Sequence, residues 1–229
     1  MWWGWFDPVY LVFLAPAMLL ALWAQLRVRS AYAEASRIPA RSGYSGAEAA
    51  QALLQSAGLR GVVIEPVEGF MSDHYVPGQG VLRLSPEVYA GRSLAALGIA
   101  AHESGHALQD ATRYPLLALR NGLVPLAAVG SNLSWIIIVV GFALSSLNLI
   151  LLGIAAFSLT VIFQLVNLPV EFDASRRARL AVAHAGLVTP EEDVHVKRVL
   201  DAAALTYVAA AAMAALQLIR LLLLRDSRR

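Results

Sequence analysis

At 229 residues, with 58% hydrophobic and only 15% charged side chains and a mean hydropathy of +0.60, the chain carries more apolar surface than water alone can solvate. A formal net charge of +2, with no clustered basic face, argues against a nucleic-acid partner. Cysteine is absent, which excludes disulfides and thiolate metal sites.

The chain opens M-W-W-G-W-F-D-P, rich in tryptophan and without a basic n-region, which reads as an interfacial aromatic anchor rather than a cleaved signal peptide. Pro8–Gln25 is almost wholly apolar and is followed by Arg27, Arg29, Arg37 and Arg41. Residues 8–26 are therefore expected to form a first transmembrane helix with a cytoplasmic exit. The polar stretch 27–121 is expected to be a cytoplasmic domain. Within it, Ser45-Gly-Ala-Glu48 is a capping box opening a short helix that Gly58 can close. Val62–Ile64 and Val81–Leu84 read as strands, with Asp73–Pro77 and the turn Pro77–Gly80 between them, so a small β-hairpin is expected. Pro86–Tyr89 is a helical turn. A longer helix follows over Ser93–Asp110, with Ser93 as N-cap and the apolar run Leu94–Ala101 leading in.

That helix carries A-A-H-E-S-G-H-A-L-Q-D. His102 and His106 are four residues apart and share one helix face. Two neutral imidazoles so placed can hold one Zn²⁺, each at about 2.0–2.1 Å. Glu103 sits beside such a metal rather than on it, placed to take a proton from water that the metal has acidified. This is the H-E-x-x-H arrangement of a metalloprotease, and it makes 27–121 a candidate zinc-protease domain.

Residues 122–168 are expected to form a transmembrane helical hairpin, with spans Gly122–Leu144 and Leu149–Leu168 joined at Ser145–Asn148. Ser131 and Asn132 interrupt the first of these, and polar residues inside a span usually face protein or a cavity. A hairpin returns the chain to its starting side, so 169–201 shares a side with His102 and His106. A helix is expected over Val170–Ala185, ended by Gly186. Thr189-Pro-Glu-Glu192 then caps another helix, which can run into a fourth transmembrane or interfacial helix over 202–224. Fourteen of the eighteen Lys/Arg fall on the motif's side, which points to the cytoplasm, although the tail Arg225–Arg229 then lies opposite.

A catalytic zinc needs a third protein ligand and an open position. Glu171, Asp173, His184, His195, His74 and Asp110 are the candidates. Glu171 is favoured because it opens a polar helix directly after an apolar span, where an unpaired carboxylate is costly. His74 or Tyr75, in the loop before the hairpin strand, can supply a hydrogen bond to a developing oxyanion.

H-E-S-G-H-A-L-Q at 102–109 and N-L-P-V-E-F-D-A-S-R-R-A at 167–178 resemble the YugP-type family of membrane zinc metallopeptidases. The likeness runs nearly the whole length, through S-D-H-Y-V-P, V-L-R-L-S, G-S-N-L-S-W and A-L-T-Y-V-A-A-A. More distantly, the layout resembles the HtpX and prenyl-protein protease group of membrane gluzincins, which follow H-E-x-x-H with a pair of spans and a ligand Glu in E-x-x-A-D. The resemblance implies that Glu171 is the third zinc ligand. The Asp of that pattern is Ser175 here. Ser175 lies on Glu171's helix face and can hydrogen-bond His102, but it brings no charge.

The sequence is thus read as a mainly α membrane protein with about four transmembrane helices and a small α+β, gluzincin-like domain containing a β-hairpin. The expected function is that of an integral membrane zinc endopeptidase with one catalytic Zn²⁺, acting on protein or peptide segments beside the lipid bilayer. The rival readings are a site-2-type intramembrane protease, which lacks its L-D-G motif here, and a non-catalytic zinc-binding membrane scaffold, in which Glu103 would have no use.

Overall fold

The computed structural model describes residues 8–226; the tryptophan-rich start, Met1–Asp7, and the end of the basic tail, Ser227–Arg229, lie outside them. Among the described residues there are seven helices and one three-stranded sheet. Helix α1 (Pro8–Ala35) contains the first expected span. Helix α2 (Gly46–Ser56) begins at the expected capping box, in which Ser45 Oγ accepts from Glu48 N and Glu48 accepts from Ser45 N.

Strands β1 (Val63–Pro66), β2 (His74–Val76) and β3 (Val81–Leu84) form a sheet of order β1-β3-β2. The hairpin is β2–β3, antiparallel with Tyr75 opposite Leu82, and not a pairing of the first run with the last. Instead β1 adds parallel to β3, with Ile64 opposite Leu82. Parallel neighbours need a crossover, and the seven residues from Val67 to Asp73 carry the chain from β1 to the far edge. Along β3, Leu82 and Leu84 are buried while Val81 and Arg83 are not, the alternation of a strand with one face on a core.

After a short helix α3 (Pro86–Tyr89) comes α4 (Leu94–Ala111), the helix expected from the motif, with Ser93 Oγ accepting from Ala96 N at 3.2 Å. Helices α5 (Pro115–Ala143), α6 (Leu147–His184) and α7 (Pro190–Asp226) complete the chain. Two separate helices were expected over 149–185, but α6 runs unbroken through Pro169. A proline costs the bond to the carbonyl four residues back and disturbs the turn there without forcing the helix to end. The second capping box holds: Thr189 N donates to Glu192 at 2.9 Å and Glu192 N donates to Thr189 Oγ1 at 3.3 Å.

The chain divides into two compact units. Among the described residues, one comprises 8–24, 118–169 and 205–226. Three helices among the described residues are long and apolar enough to cross a membrane, Pro115–Ala143, Leu147–His184 and Pro190–Arg225. Helix α1 is not among these three. Inside this unit Ile138, Ile150, Ile154, Phe157, Val161, Ala214 and Leu221 form a core. Small residues let backbones approach there: a Cβ at Gly130 would stand 2.7 Å from the Ala156 carbonyl oxygen. Asn132 is exposed rather than turned toward protein, and its amide donates to its own helix at Ala128 O, 3.0 Å. That back-bond satisfies a polar group without a partner helix.

The other unit comprises residues 25–117 and 170–204, and α4 is its centre. One side of α4, through Leu94, Leu97 and Ala101, packs with Ala49 and Leu53 of α2, Ala178 and Val182 of α6, and Val196 and Val199 of α7. Its other side, through Ala100 and Ala107, joins Ala50, Leu54, Leu82, Leu84 and Val88. A helix rich in Ala and Gly suits that place, since small side chains let neighbours close on every face.

Candidate metal centre

Within this unit, α4 and α6 meet at backbone distance. A Cβ added at Gly105 would stand 2.4 Å from the Ala174 carbonyl oxygen, so the glycine inside H-E-S-G-H is what lets α6 lie against the motif. Glu171, one turn before Ala174, is thereby carried to the histidines. Its Oε2 is 3.2 Å from His102 Nε2 and 3.7 Å from His106 Nε2. Two ligand atoms held tetrahedrally by one Zn²⁺ stand about 3.3 Å apart, given bonds of about 2.0–2.1 Å. One ligand atom from each of the three residues lies within 4.8 Å of the others, a group that can hold a metal ion.

The outer ring nitrogens are also accounted for. Ser175 Oγ lies 3.1 Å from His102 Nδ1, and Gln109 Oε1 lies 3.0 Å from His106 Nδ1. Each histidine therefore has an orienting partner on Nδ1 and turns Nε2 toward Glu171, as zinc-binding histidines commonly do. The carboxylate is only 2% exposed, and His106 8%. Burial works against a charged His106 ring, yet contact with Glu171 and the nearby charge of Glu103 hold its pKa above the ordinary histidine value. Two imidazoles and one carboxylate, with nitrogen and oxygen donors only, make a donor set that fits zinc.

Glu103 is half-buried, and its Oε2 accepts from the backbone N–H of Tyr75 at 3.0 Å. Edge strand β2 is thus tied to the motif helix. The same residue makes a second tie, because Tyr75 OH donates to Asp110 at 2.8 Å. The Tyr75 hydroxyl is accordingly occupied along the helix, and burial followed by this bond raises its pKa. His74 opens β2 with Nδ1 2.7 Å from the Ser72 carbonyl oxygen. Beside it, Asp73 accepts from Ser85 N at 2.7 Å, and burial, opposed by the Ser85 bonds and helped by Glu103's charge, raises its pKa.

The remaining ligand candidates have other partners or places. Asp173 accepts from Gln109 Nε2 at 3.0 Å and pairs with Arg176 and with Arg177, the latter at 2.6 Å. Asp110 receives Tyr75 OH. His195 lies 3.4 Å from Glu34, and His184 is exposed at the end of α6. Gln109 escaped the sequence reading. The available signal was its position three residues after His106, on the same helix face.

A family model described as "Putative neutral zinc metallopeptidase" matches residues 10–226. A protein of Bacillus subtilis (strain 168) described as "Putative membrane protease YugP" is 45% identical over 214 residues, covering 93% of this chain and 95% of that one. No solved structure gives a match.

Proposed function

The chain belongs to this neutral zinc metallopeptidase family, and from that premise we propose that it is an integral membrane zinc endopeptidase of the H-E-x-x-H, gluzincin type. What carries the reading is the convergence of His102 Nε2, His106 Nε2 and the Glu171 carboxylate, with an unligating Glu103 beside them. His102, His106 and Glu171 would hold one Zn²⁺, which when bound acidifies water and polarises a carbonyl. Glu103 takes the proton from the attacking water. Once the C–N bond breaks, it delivers that proton to the leaving amine, so that water is added across the peptide bond. Ser175 orients His102. Tyr75 acts through its backbone, which steadies Glu103, while any contact of His74 with a developing oxyanion would come from Nε2, since Nδ1 faces Ser72.

We assign residues 8–26 to a further transmembrane helix, 27–121 to a cytoplasmic zinc-protease domain, 122–168 to a transmembrane helical hairpin, 169–201 to the third-ligand helix region on the domain's side, and 202–224 to a transmembrane or interfacial helix. The excess of Lys/Arg on the motif's side supports the cytoplasmic placement. Substrates are extended segments of membrane-proximal or unfolded proteins. Two features support that class: an edge strand held against Glu103, and the position of Glu171 on the same unbroken helix as the apolar stretch before it.

The test is metal content of detergent-purified protein, with casein cleavage alongside. Wild type should hold about one zinc per chain, Glu171→Ala should lose it, and Glu103→Gln should keep it while losing cleavage. A folded wild type without zinc, or a Glu103→Gln variant that still cleaves, would overturn the reading.

A further inference from the structure

Gln109 is completely buried, and both ends of its amide are engaged. Its Nε2 donates to the Val170 carbonyl at 2.8 Å and to Asp173 Oδ2 at 3.0 Å. A carbonyl and an ionised carboxylate only accept, so the amide is locked with Oε1 toward His106. Oε1 in turn only accepts, so His106 Nδ1, 3.0 Å away, carries the ring proton and Nε2 keeps its lone pair. The lock has its own support. Arg177 Nε donates to Asp173 at 2.6 Å, its Nη1 donates to Thr112 Oγ1 at 3.1 Å, and its guanidinium stands 5.6 Å over the Tyr114 ring. Val170 immediately precedes Glu171, so one amide sets the tautomer of one ligand and grips the backbone beside another.

We infer that Gln109 is a positioning residue for the metal: it fixes His106 with Nε2 turned to the ion and registers α6 so that Glu171 meets it. The inference rests on the ligand set proposed above. It follows from the polarity of one amide between Asp173 and His106, a chain in which a neutral side chain passes a fixed direction from a charged pair to a ligand.

The experiment measures zinc affinity of the full chain in detergent by competition with a chelating dye. The visible spectrum of the cobalt-substituted protein and thermal unfolding of the apoprotein accompany it. Gln109→Met keeps the volume but makes none of the three bonds; it should weaken zinc about 10–100-fold and shift the cobalt bands. Gln109→Glu still accepts from His106 but faces Asp173 with a like charge, and should weaken it further. Adding Asp173→Asn reverses the polarity of that pair, so the double variant should recover at least about tenfold over Gln109→Glu. Gln109→Met binding within about twofold of wild type, with His106→Ala unable to bind, would overturn this inference and leave the ligand set standing. Zinc retained by His106→Ala as well would overturn the ligand set and this inference together. If Gln109→Met does not fold, absence of recovery in the double variant overturns it.

Discussion

Gly105 sets the distance between α4 and α6. Its missing Cβ leaves room for the Ala174 carbonyl oxygen, which would otherwise be 2.4 Å away, well inside van der Waals contact. Gly105→Ala should therefore push α6 back and carry Glu171 away from the histidines. We expect zinc affinity to fall at least about tenfold and stability by about 1–3 kcal/mol, read by chelator competition and thermal unfolding. Unchanged zinc binding would mean that α6 can slide without losing Glu171. At this scale the sequence was legible for His102, Glu103 and His106, because their spacing is an i, i+4 property of one helix. It was less so for the carboxylate that joins them. Glu171 and Asp173 are two residues apart, about 200° around a helix, so only one of them can face the histidines. Which one does depends on how α6 is turned against α4. Glu171 faces them, and Asp173 faces Gln109 and the arginines.

At the scale of elements, β2 is fastened to α4 at both ends of Tyr75, by its N–H to Glu103 and its hydroxyl to Asp110. If the hydroxyl only fastens the strand, Tyr75→Phe should cost about 0.5–1.5 kcal/mol of stability and leave zinc binding and the chemical step nearly unchanged. A kcat collapse in Tyr75→Phe, with zinc and fold intact, would instead make the hydroxyl a participant in the reaction. The helix caps were legible because each is a local exchange between a side chain and the backbone within three residues, as at Ser45, Ser93 and Thr189. Of the strand pairing, only the hairpin turn before β3 was legible, because it is local; His74 and Tyr75 read as loop and instead form β2. The parallel partnership of β1 with β3 skips an intervening strand, and no spacing in the sequence encodes it.

For the molecule as a whole, the apolar composition and the three long apolar helices agree in calling for a bilayer. The orientation proposed above has a direct test, because the chain contains no cysteine. A single His184→Cys substitution, at the exposed end of α6, should react with an impermeant maleimide in inside-out vesicles and not in intact cells. Labelling confined to intact cells would reverse the assignment and place the candidate metal centre outside.

By itself the sequence determined that this chain has stretches long and apolar enough to cross a bilayer, that it carries an H-E-x-x-H helix, and where several helices begin. These are matters of composition and of residues within one turn of each other, where the backbone's own geometry sets the distances. Only the tertiary structure decided which carboxylate meets the histidines, that Gln109 reaches the Val170 carbonyl and Asp173, and that Tyr75 holds Glu103. Those contacts join residues 28 to 69 positions apart. At such separations the helical period no longer relates one residue to the other, and the packing of α6 and β2 on α4 does.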